Sequence, residues 1–248
     1  MKRFGLFTVV LAIAVSGVTV SLAFGDDDNN GNPQAIPFTF VGTAAGCTPG
    51  APGSNIVTSA WLTGLGLPDD GSSNTAPTNR DPHSGLLLSK NGLTADCSAA
   101  GATITGVNGQ VVTELGFDYR NGTHCGAGAP RFNLVTDDNV FHFMGGCANS
   151  TATPAPQNPA EWTRVRINPT NPAQAFPPVA AGAKIKSLSI IFDEGTDTTG
   201  VEDPRGVGLS VIDNIDVNGH LITARGNGDD KGNGNGNGKG EDNGKGDH

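Results

Sequence analysis

Apolar and polar residues alternate with a period of two through the middle of the chain. In LGFDYR (115–120) and in most of IKSLSIIF (185–192), every second residue is apolar, which is the period of a strand with one buried face. Glycine and proline interrupt nearly every window of helical length, and none keeps a 3.6-residue apolar period. The pattern therefore predicts strands rather than helices.

Two stretches predict β-hairpins. Residues 131–146 are strand-like on both sides of a polar turn at 137–139, and residues 208–224 are two apolar runs joined by Asn218 and Gly219. An Asn-Gly pair between apolar runs is the strongest short hairpin signal, because both residues tolerate the positive φ of a type I′ turn. Further strands are expected over 35–43, 56–62, 84–89, 102–107 and 161–167.

About ten short strands with glycine-rich turns and long polar loops predict an all-β, antiparallel fold. The number of strands and the length of the loops favour a jelly-roll-like β-sandwich over an immunoglobulin-like one. A single domain is expected over 35–225, a span long enough to bury a hydrophobic core.

Both ends of the chain differ from this domain. Lys2 and Arg3 precede an uncharged apolar run that ends in small residues, so 1–25 is predicted to be a secretory signal peptide. A retained membrane anchor is the alternative, but the run is short for one. Residues 26–34 then form a flexible leader. Residues 226–248 contain no apolar side chain, which predicts a disordered tail rich in Gly, Asn, Asp and Lys.

Composition agrees with export. The chain carries 15 Lys and Arg against 24 Asp and Glu, a net charge of −9. An acidic chain of this kind has no basic patch for nucleic acid. We therefore expect a secreted, extracellular or periplasmic protein with no nucleic-acid partner and no retained membrane span; the oligomeric state stays open.

The four cysteines, an even number, predict disulfides in an oxidising compartment. Three pairings are possible, and we favour Cys47–Cys97 with Cys125–Cys147, because the second closes a loop that contains two short strands. A thiol nucleophile at Cys125 beside His124 is the alternative. It is disfavoured because consecutive side chains of an extended segment point to opposite faces.

Two segments resemble known proteins. ELGFDYRNGTHCGAGAPRFNLVT (114–136) and 189–219 are similar to segments of uncharacterised secreted bacterial proteins. The Asp-Asn-Ile stretch of the second also resembles the last strand of jelly-roll carbohydrate-binding modules and galactose-binding-like domains. The resemblance implies a sandwich scaffold that often binds sugars, sometimes with structural calcium, and it implies no catalytic residue.

The sequence contains two candidate calcium sites. The loop 192–204 crowds five carboxylates, among them Asp193, Glu194 and Asp197, and oxygen ligands on a flexible loop suit Ca²⁺. A solvated acidic loop is the favoured interpretation, because sequence does not define the ligand geometry. No other cofactor is expected.

Asp213 is the second candidate metal ligand. Alternate positions of 208–219 form one apolar face, made of Leu209, Val211, Ile215 and Val217, and Asp213 falls on that face. A carboxylate turned towards a core must be hydrogen-bonded, paired or metal-bound. Acceptance of backbone N–H bonds from a neighbouring loop is favoured over a metal, and a bulge near Asp213 would turn it outward.

Candidate ligand-binding side chains are Trp61, Trp162 and His124. The two indoles could stack on sugar rings, although a core position is favoured for each because of the apolar area they bury. No Gly-x-Ser-x-Gly, His-Glu-x-x-His, Cys-x-x-Cys or Walker motif occurs. The leading hypothesis is a non-catalytic binding module for a glycan or cell-surface polymer. A structural or adhesion component is the alternative, and a small glycan-active hydrolase is the third.

Overall fold

The computed structural model describes residues 32–41, 56–67, 83–94, 97–195, 208–224 and 226–227. Within these ranges the chain forms fourteen β-strands and no α-helix, with one short 3-10 turn at Cys147–Asn149. The predicted all-β class is confirmed. The predicted signal peptide, most of the leader and the tail beyond residue 227 lie outside the described residues.

The strands follow the predicted segments closely, with a few additions. In chain order they are β1 Gln34–Val41, β2 Ile56–Thr63, β3 Ser84–Asn91, β4 Ser98–Thr105, β5 Leu115–Arg120, β6 Arg131–Thr136, β7 Phe141–Gly145, β8 Thr151–Pro154, β9 Trp162–Ile167, β10 Ala175–Phe176, β11 Ile185–Phe192, β12 Leu209–Val217, β13 His220–Thr223 and β14 Gly226–Asn227. Three short edge strands, β8, β10 and β14, were not predicted. The last of them occupies the first two residues of the predicted tail.

The strands form two antiparallel sheets. Sheet A has the order β1-β4-β11-β6-β7-β10. Sheet B has the order β14-β13-β12-β5-β9-β8, and the β2–β3 pair joins it where β3 pairs with β12. The chain passes from sheet B at β3 to sheet A at β4, and back again at β5 and β6. This repeated crossing produces the jelly-roll-like sandwich.

The main core fills the space between the sheets. Sheet A contributes Phe132 and Ile190, sheet B contributes Phe117 and Val165, and all four are fully buried. The rings of Phe117 and Phe132 meet across the sandwich with centroids 6.0 Å apart. Burial of apolar area stabilises by about 25 cal/mol per Å², so this two-sided core is the main support of the fold.

A bulge in β12 changes the prediction made for that strand. Asp213 lies opposite Asp118 of β5, but the next pair is Asp216 with Gly116, and Asn214 between them has φ 46°. One extra residue in a strand reverses the side-chain alternation beyond it.

The single apolar face predicted for β12 is therefore wrong. Val211, before the bulge, packs on the outer side of sheet B, whereas Ile215 and Val217, after it, pack in the main core. Asp213 lies before the reversal and belongs to the outer side, with no exposed surface.

Both predicted hairpins are present. Asn218 and Gly219 connect β12 to β13 with φ values of 57° and 85°. In the β6–β7 turn, the Thr136 hydroxyl and the Val140 N–H donate to the Asp138 carboxylate, and these bonds lower the pKa of Asp138. Local turn chemistry therefore decides both connections, as the sequence predicts.

A disulfide joins Cys125 to Cys147, with their Cα atoms 5.3 Å apart. It links the β5–β6 connection to the β7–β8 connection, two segments in which the chain passes between the sheets. The favoured pairing of these two cysteines is confirmed, and Cys125 is not a free thiol. Cys97 is also disulfide-bonded, while its predicted partner Cys47 lies outside the described residues.

Replacing both cysteines of this bridge, as Cys125→Ser with Cys147→Ser, should lower the free energy of unfolding by about 3 kcal/mol, because a cross-link across a separation of 22 residues restricts the unfolded chain. Urea denaturation of the variant and the wild type measures the difference. A double variant as stable as the wild type would contradict the structural role of the bridge.

Thiol titration of the unfolded, unreduced wild type should find no free cysteine.

Candidate binding site on the outer face of sheet B

A cavity of about 310 Å³ opens on the outer face of sheet B, where β5 ends and β9 begins. The turn 64–67, which follows β2, forms one wall together with His83 at the start of β3. Arg120 at the end of β5 and the segment leading into β9 form the other wall. The cavity therefore lies where loops from four strands converge, a usual position for a binding site on a rigid sheet.

Asp213 holds the first wall in place. Its Oδ2 accepts the backbone N–H of Leu67 at 2.7 Å, and its Oδ1 accepts the N–H of Asn214 at 2.7 Å. Hydrogen bonds to a buried carboxylate are charge-assisted and roughly twice as strong as neutral ones. The interpretation favoured from the sequence, a carboxylate that accepts backbone N–H bonds from a loop, agrees with this geometry.

Gly66 makes the close approach of this turn possible. A Cβ at this position would overlap the carbonyl group of Ser84 and the Asp213 carboxylate. The backbone N–H of Gly66 donates to the His83 oxygen at 2.6 Å. Gly66 therefore bonds the wall to the residue before β3, and the next residue, Leu67, bonds it to β12.

Trp162 supports the second wall. Its side chain is only 3 % exposed and packs with Leu67, Ala155 and Val211 in a second apolar cluster outside sheet B. Its backbone N–H donates to the Asn158 oxygen at 3.0 Å, which closes the turn before β9. The indole thus forms part of the cavity lining from a buried position and is not an exposed platform.

Three polar side chains of the second wall retain hydrogen-bonding capacity. The half-buried guanidinium of Arg120 donates to no group among the described residues. Gln157 accepts from Arg164 at 3.4 Å through its carbonyl oxygen, and its amide nitrogen donates to no described group. Glu161 accepts from Asn158 at 3.1 Å through one carboxylate oxygen. The cavity therefore offers donors from Arg120 and Gln157 and an acceptor from Glu161.

A network of paired charges lies on the same face of the sheet, behind this wall. Arg164 of β9 makes two hydrogen bonds of 2.9 Å to the fully buried Asp118 of β5. Arg166 lies 3.0 Å from Asp216 of β12. The hydrogen bonds that Arg164 donates to Asp118 raise the pKa of Arg164, whereas burial lowers the pKa of Arg166.

The network extends across three strands, because Asn214 also donates to Asp118 at 3.0 Å. It ties β12, β5 and β9 together through side chains in addition to the backbone ladder. The sequence alone does not reveal this network. The alternation in 115–120 placed Asp118 on the polar face, but only the register, in which Asp118 stands opposite Arg164, pairs the two charges.

His124 does not reach the cavity. It is 2 % exposed, its Nε2 is bonded to the Glu194 carboxylate, and its ring meets Phe192 edge-on with centroids 5.4 Å apart. A Cβ at Gly128 would overlap a carboxylate oxygen of Glu194. The glycine-rich stretch after Cys125 therefore makes room for this carboxylate.

The candidate calcium ligands are not brought together. Asp193 forms a two-bond ion pair with Arg131, at 2.6 and 2.7 Å, and Glu194 pairs with His124. Both follow β11 of sheet A, whereas Asp213 lies on the outer side of sheet B. Asp197 is outside the described residues. Within the described ranges, no group of three or more His, Cys, Asp or Glu side chains is arranged to hold a metal ion.

Trp61 lies elsewhere in the sandwich. Its side chain is half-buried and packs against the main core, and its indole N–H donates to the Ala35 oxygen at 2.9 Å. This bond ties β2 of sheet B to β1 of sheet A. Of the three candidate ligand-binding residues, only Trp162 lines the cavity.

Comparisons of this chain with protein-family models, with curated proteins and with solved structures find no match. None of the described segments contains a helix long and apolar enough to cross a bilayer.

Replacing Asp213 by alanine should lower the free energy of unfolding by about 3 kcal/mol, because the buried N–H groups of Leu67 and Asn214 would lose their acceptor. Urea denaturation measures the loss, and hydrogen exchange at the Leu67 amide should accelerate more than exchange in the core strands. Glu161→Gln, on the exposed rim of the same cavity, is the control and should change stability by less than about 0.5 kcal/mol. Unchanged exchange at Leu67 would show that Asp213 does not hold the wall.

Proposed function

We propose that the protein is a non-catalytic, extracellular or periplasmic binding module, and that its cavity takes a sugar unit of a glycan or cell-surface polymer. The observation that carries the proposal is the second wall of the cavity. There, the Arg120 guanidinium, the Gln157 amide and the Glu161 carboxylate retain hydrogen-bonding capacity beside the indole of Trp162.

Sugar chemistry matches this wall. Each hydroxyl of a sugar both donates and accepts hydrogen bonds, so Arg120 and Gln157 can donate to it while Glu161 accepts. A guanidinium also presents several N–H groups in one plane, which suits two neighbouring ligand oxygens. The partly exposed Leu65 of the turn 64–67 supplies non-polar surface for the ring carbons, and the buried Trp162 supports this turn by packing on Leu67.

The size of the cavity favours a short ligand. Its volume of about 310 Å³ lies at the lower end of the range of about 300–1,000 Å³ for small-molecule sites. One terminal sugar or one residue of a polymer is therefore the expected ligand, with the rest of the polymer outside. The clamped turn 64–67 preorganises the site, which reduces the entropy lost on binding.

The carboxylates of the cavity lining favour binding over hydrolysis. A glycosidase places two carboxylates about 5–10 Å apart across the scissile bond. The described lining of the cavity supplies one carboxylate, Glu161, which accepts a hydrogen bond from Asn158 at 3.1 Å. Asp213 already serves the neighbouring wall through backbone bonds.

Export is supported by two independent features. The signal-like segment 1–25 predicts secretion, and a disulfide such as Cys125–Cys147 is stable in oxidising compartments. The resemblance to jelly-roll carbohydrate-binding modules supports the same ligand class.

A glycan array followed by calorimetry tests the proposal. Wild-type protein should bind a defined set of glycans, and Arg120→Ala or Glu161→Gln should weaken binding at least about tenfold, since each removes a hydrogen bond to a charged group. Lys184→Ala and Glu114→Gln are the matched controls, because both side chains are exposed and lie outside the cavity lining.

The proposal fails if the wild type binds no glycan. If the cavity variants bind glycans as tightly as the wild type, the cavity is not the binding site, and the binding surface lies elsewhere on the sandwich.

A structural or adhesion role is the second candidate. It is supported by β1, an eight-residue strand at the edge of sheet A, where Ile36, Phe40 and Val41 are 49 %, 40 % and 58 % exposed. Edge strands are sites of association between chains, although Pro37 limits pairing along this one.

A further inference from the structure

The outer face of sheet A concentrates exposed aromatic side chains. Eight phenylalanines follow residue 24. Three of them lie in the main core, and the other five, Phe38, Phe40, Phe141, Phe143 and Phe176, lie on the outer face of sheet A and are called here the phenylalanine face. Phe40, Phe141 and Phe176 are 40 %, 49 % and 46 % exposed.

The strand register shows that these side chains share one face. Ile36 stands opposite Thr103, and the same row continues through Ser189, Asn133, Phe143 and Phe176 across all six strands. Paired residues of adjacent strands project to the same side of a sheet. The aromatic rings therefore stand at both edges, with small polar side chains between them.

The phenylalanine face carries few charges. On the strands between its two aromatic edges, the charged side chains outside the core are Arg131 and the exposed Lys186, which lies in the bulge of β11 and donates to Asn139. Arg131 is neutralised by Asp193 at 2.6 and 2.7 Å and lies 4.7 Å above the ring of Phe143. The centre of a protein–protein interface is likewise depleted of charge and enriched in phenylalanine and arginine.

We propose that a second copy of this chain packs on the phenylalanine face, so that the protein is a homodimer joined sheet to sheet. A two-fold axis parallel to the strands would bring Phe38 and Phe40 of one copy against Phe143 and Phe176 of the other. Each aromatic edge then meets an aromatic edge, as a self-complementary two-fold interface requires.

The area of the face is at the lower end of what such a dimer needs. Strands lie about 4.8 Å apart and rise about 3.3 Å per residue. The six strands of sheet A, with eight, eight, eight, six, five and two residues, therefore offer roughly 600 Å². This is of the same order as the ~800 Å² that each partner buries in a standard interface. In a chain of net charge −9, a face whose few charges are mainly basic is also one where two copies approach with little repulsion.

A dimer of this kind would be bivalent. Sheet A and sheet B are opposite layers of the sandwich, so association through sheet A leaves both cavities of sheet B facing outward on opposite sides. Four sheets stacked about 10 Å apart would separate the two cavities by roughly 30 Å. This consequence rests on the proposed function and implies that one dimer can hold two polymer chains.

Light scattering coupled to size-exclusion chromatography, run over a broad range of protein concentration, measures the mass directly. The wild type should show twice the monomer mass. Phe141→Ser with Phe176→Ser should raise the dimer dissociation constant at least about tenfold, because exposed aromatic area is lost from the interface. Ser189→Glu should do the same without removing apolar area, since it places a carboxylate at the centre of the apolar interface.

Leu62→Ser and Leu93→Ser are the controls, because these leucines are 39 % and 40 % exposed and lie outside the phenylalanine face. They should leave the mass unchanged. Circular dichroism should show that all variants keep the strand content of the wild type.

A wild type that is monomeric at every concentration would overturn the proposal. So would variants of the phenylalanine face that stay dimeric, or control variants that dissociate to the same extent. The mass measurement involves no sugar, so a dimer that binds no glycan would refute the proposed function and leave this interface standing.

Discussion

The extra residue of β12 is the constraint on which both sides of sheet B depend. Before the bulge at Asp213 and Asn214 the strand turns Val211 outward, and after it Ile215 and Val217 turn inward. A strand without the bulge would place either its first or its second half on the wrong face. The bulge also leaves Asp213 buried outside the main core, where its carboxylate holds the turn 64–67.

The outer side of sheet B is consequently a second packed layer and not a solvated face. Paired Asp118 and Arg164 lie beside a small apolar cluster that contains Trp162. Burying a charge is unfavourable unless it is paired and hydrogen-bonded, and here the register places the partners directly opposite each other. The cavity opens at the margin of this layer. Its polar wall therefore adjoins Trp162 and Arg164, which packing and ion pairing already hold in place.

The two outer faces of the sandwich therefore differ in chemistry. Sheet B is covered by turns, paired charges and a cavity, whereas sheet A exposes aromatic rings around a row of small polar residues. The disulfide between Cys125 and Cys147 joins two of the connections that run between the layers. Ligand binding on one face and self-association on the other would not compete for surface.

The sequence by itself determined the elements that arise from local patterns: the strands with a period of two, the Asn218-Gly219 hairpin and the all-β class. Among three possible pairings the sequence also favoured Cys125 with Cys147, because that bond closes a loop containing two short strands, and the structure confirms it. Only the tertiary structure decided that Asp118 meets Arg164, that Asp213 holds Leu67, that His124 binds Glu194 and not a ligand, and that Trp162 and not Trp61 lines a cavity. These contacts join residues from 46 to 146 positions apart, and they depend on register and on one bulge, neither of which leaves a periodic trace in the sequence.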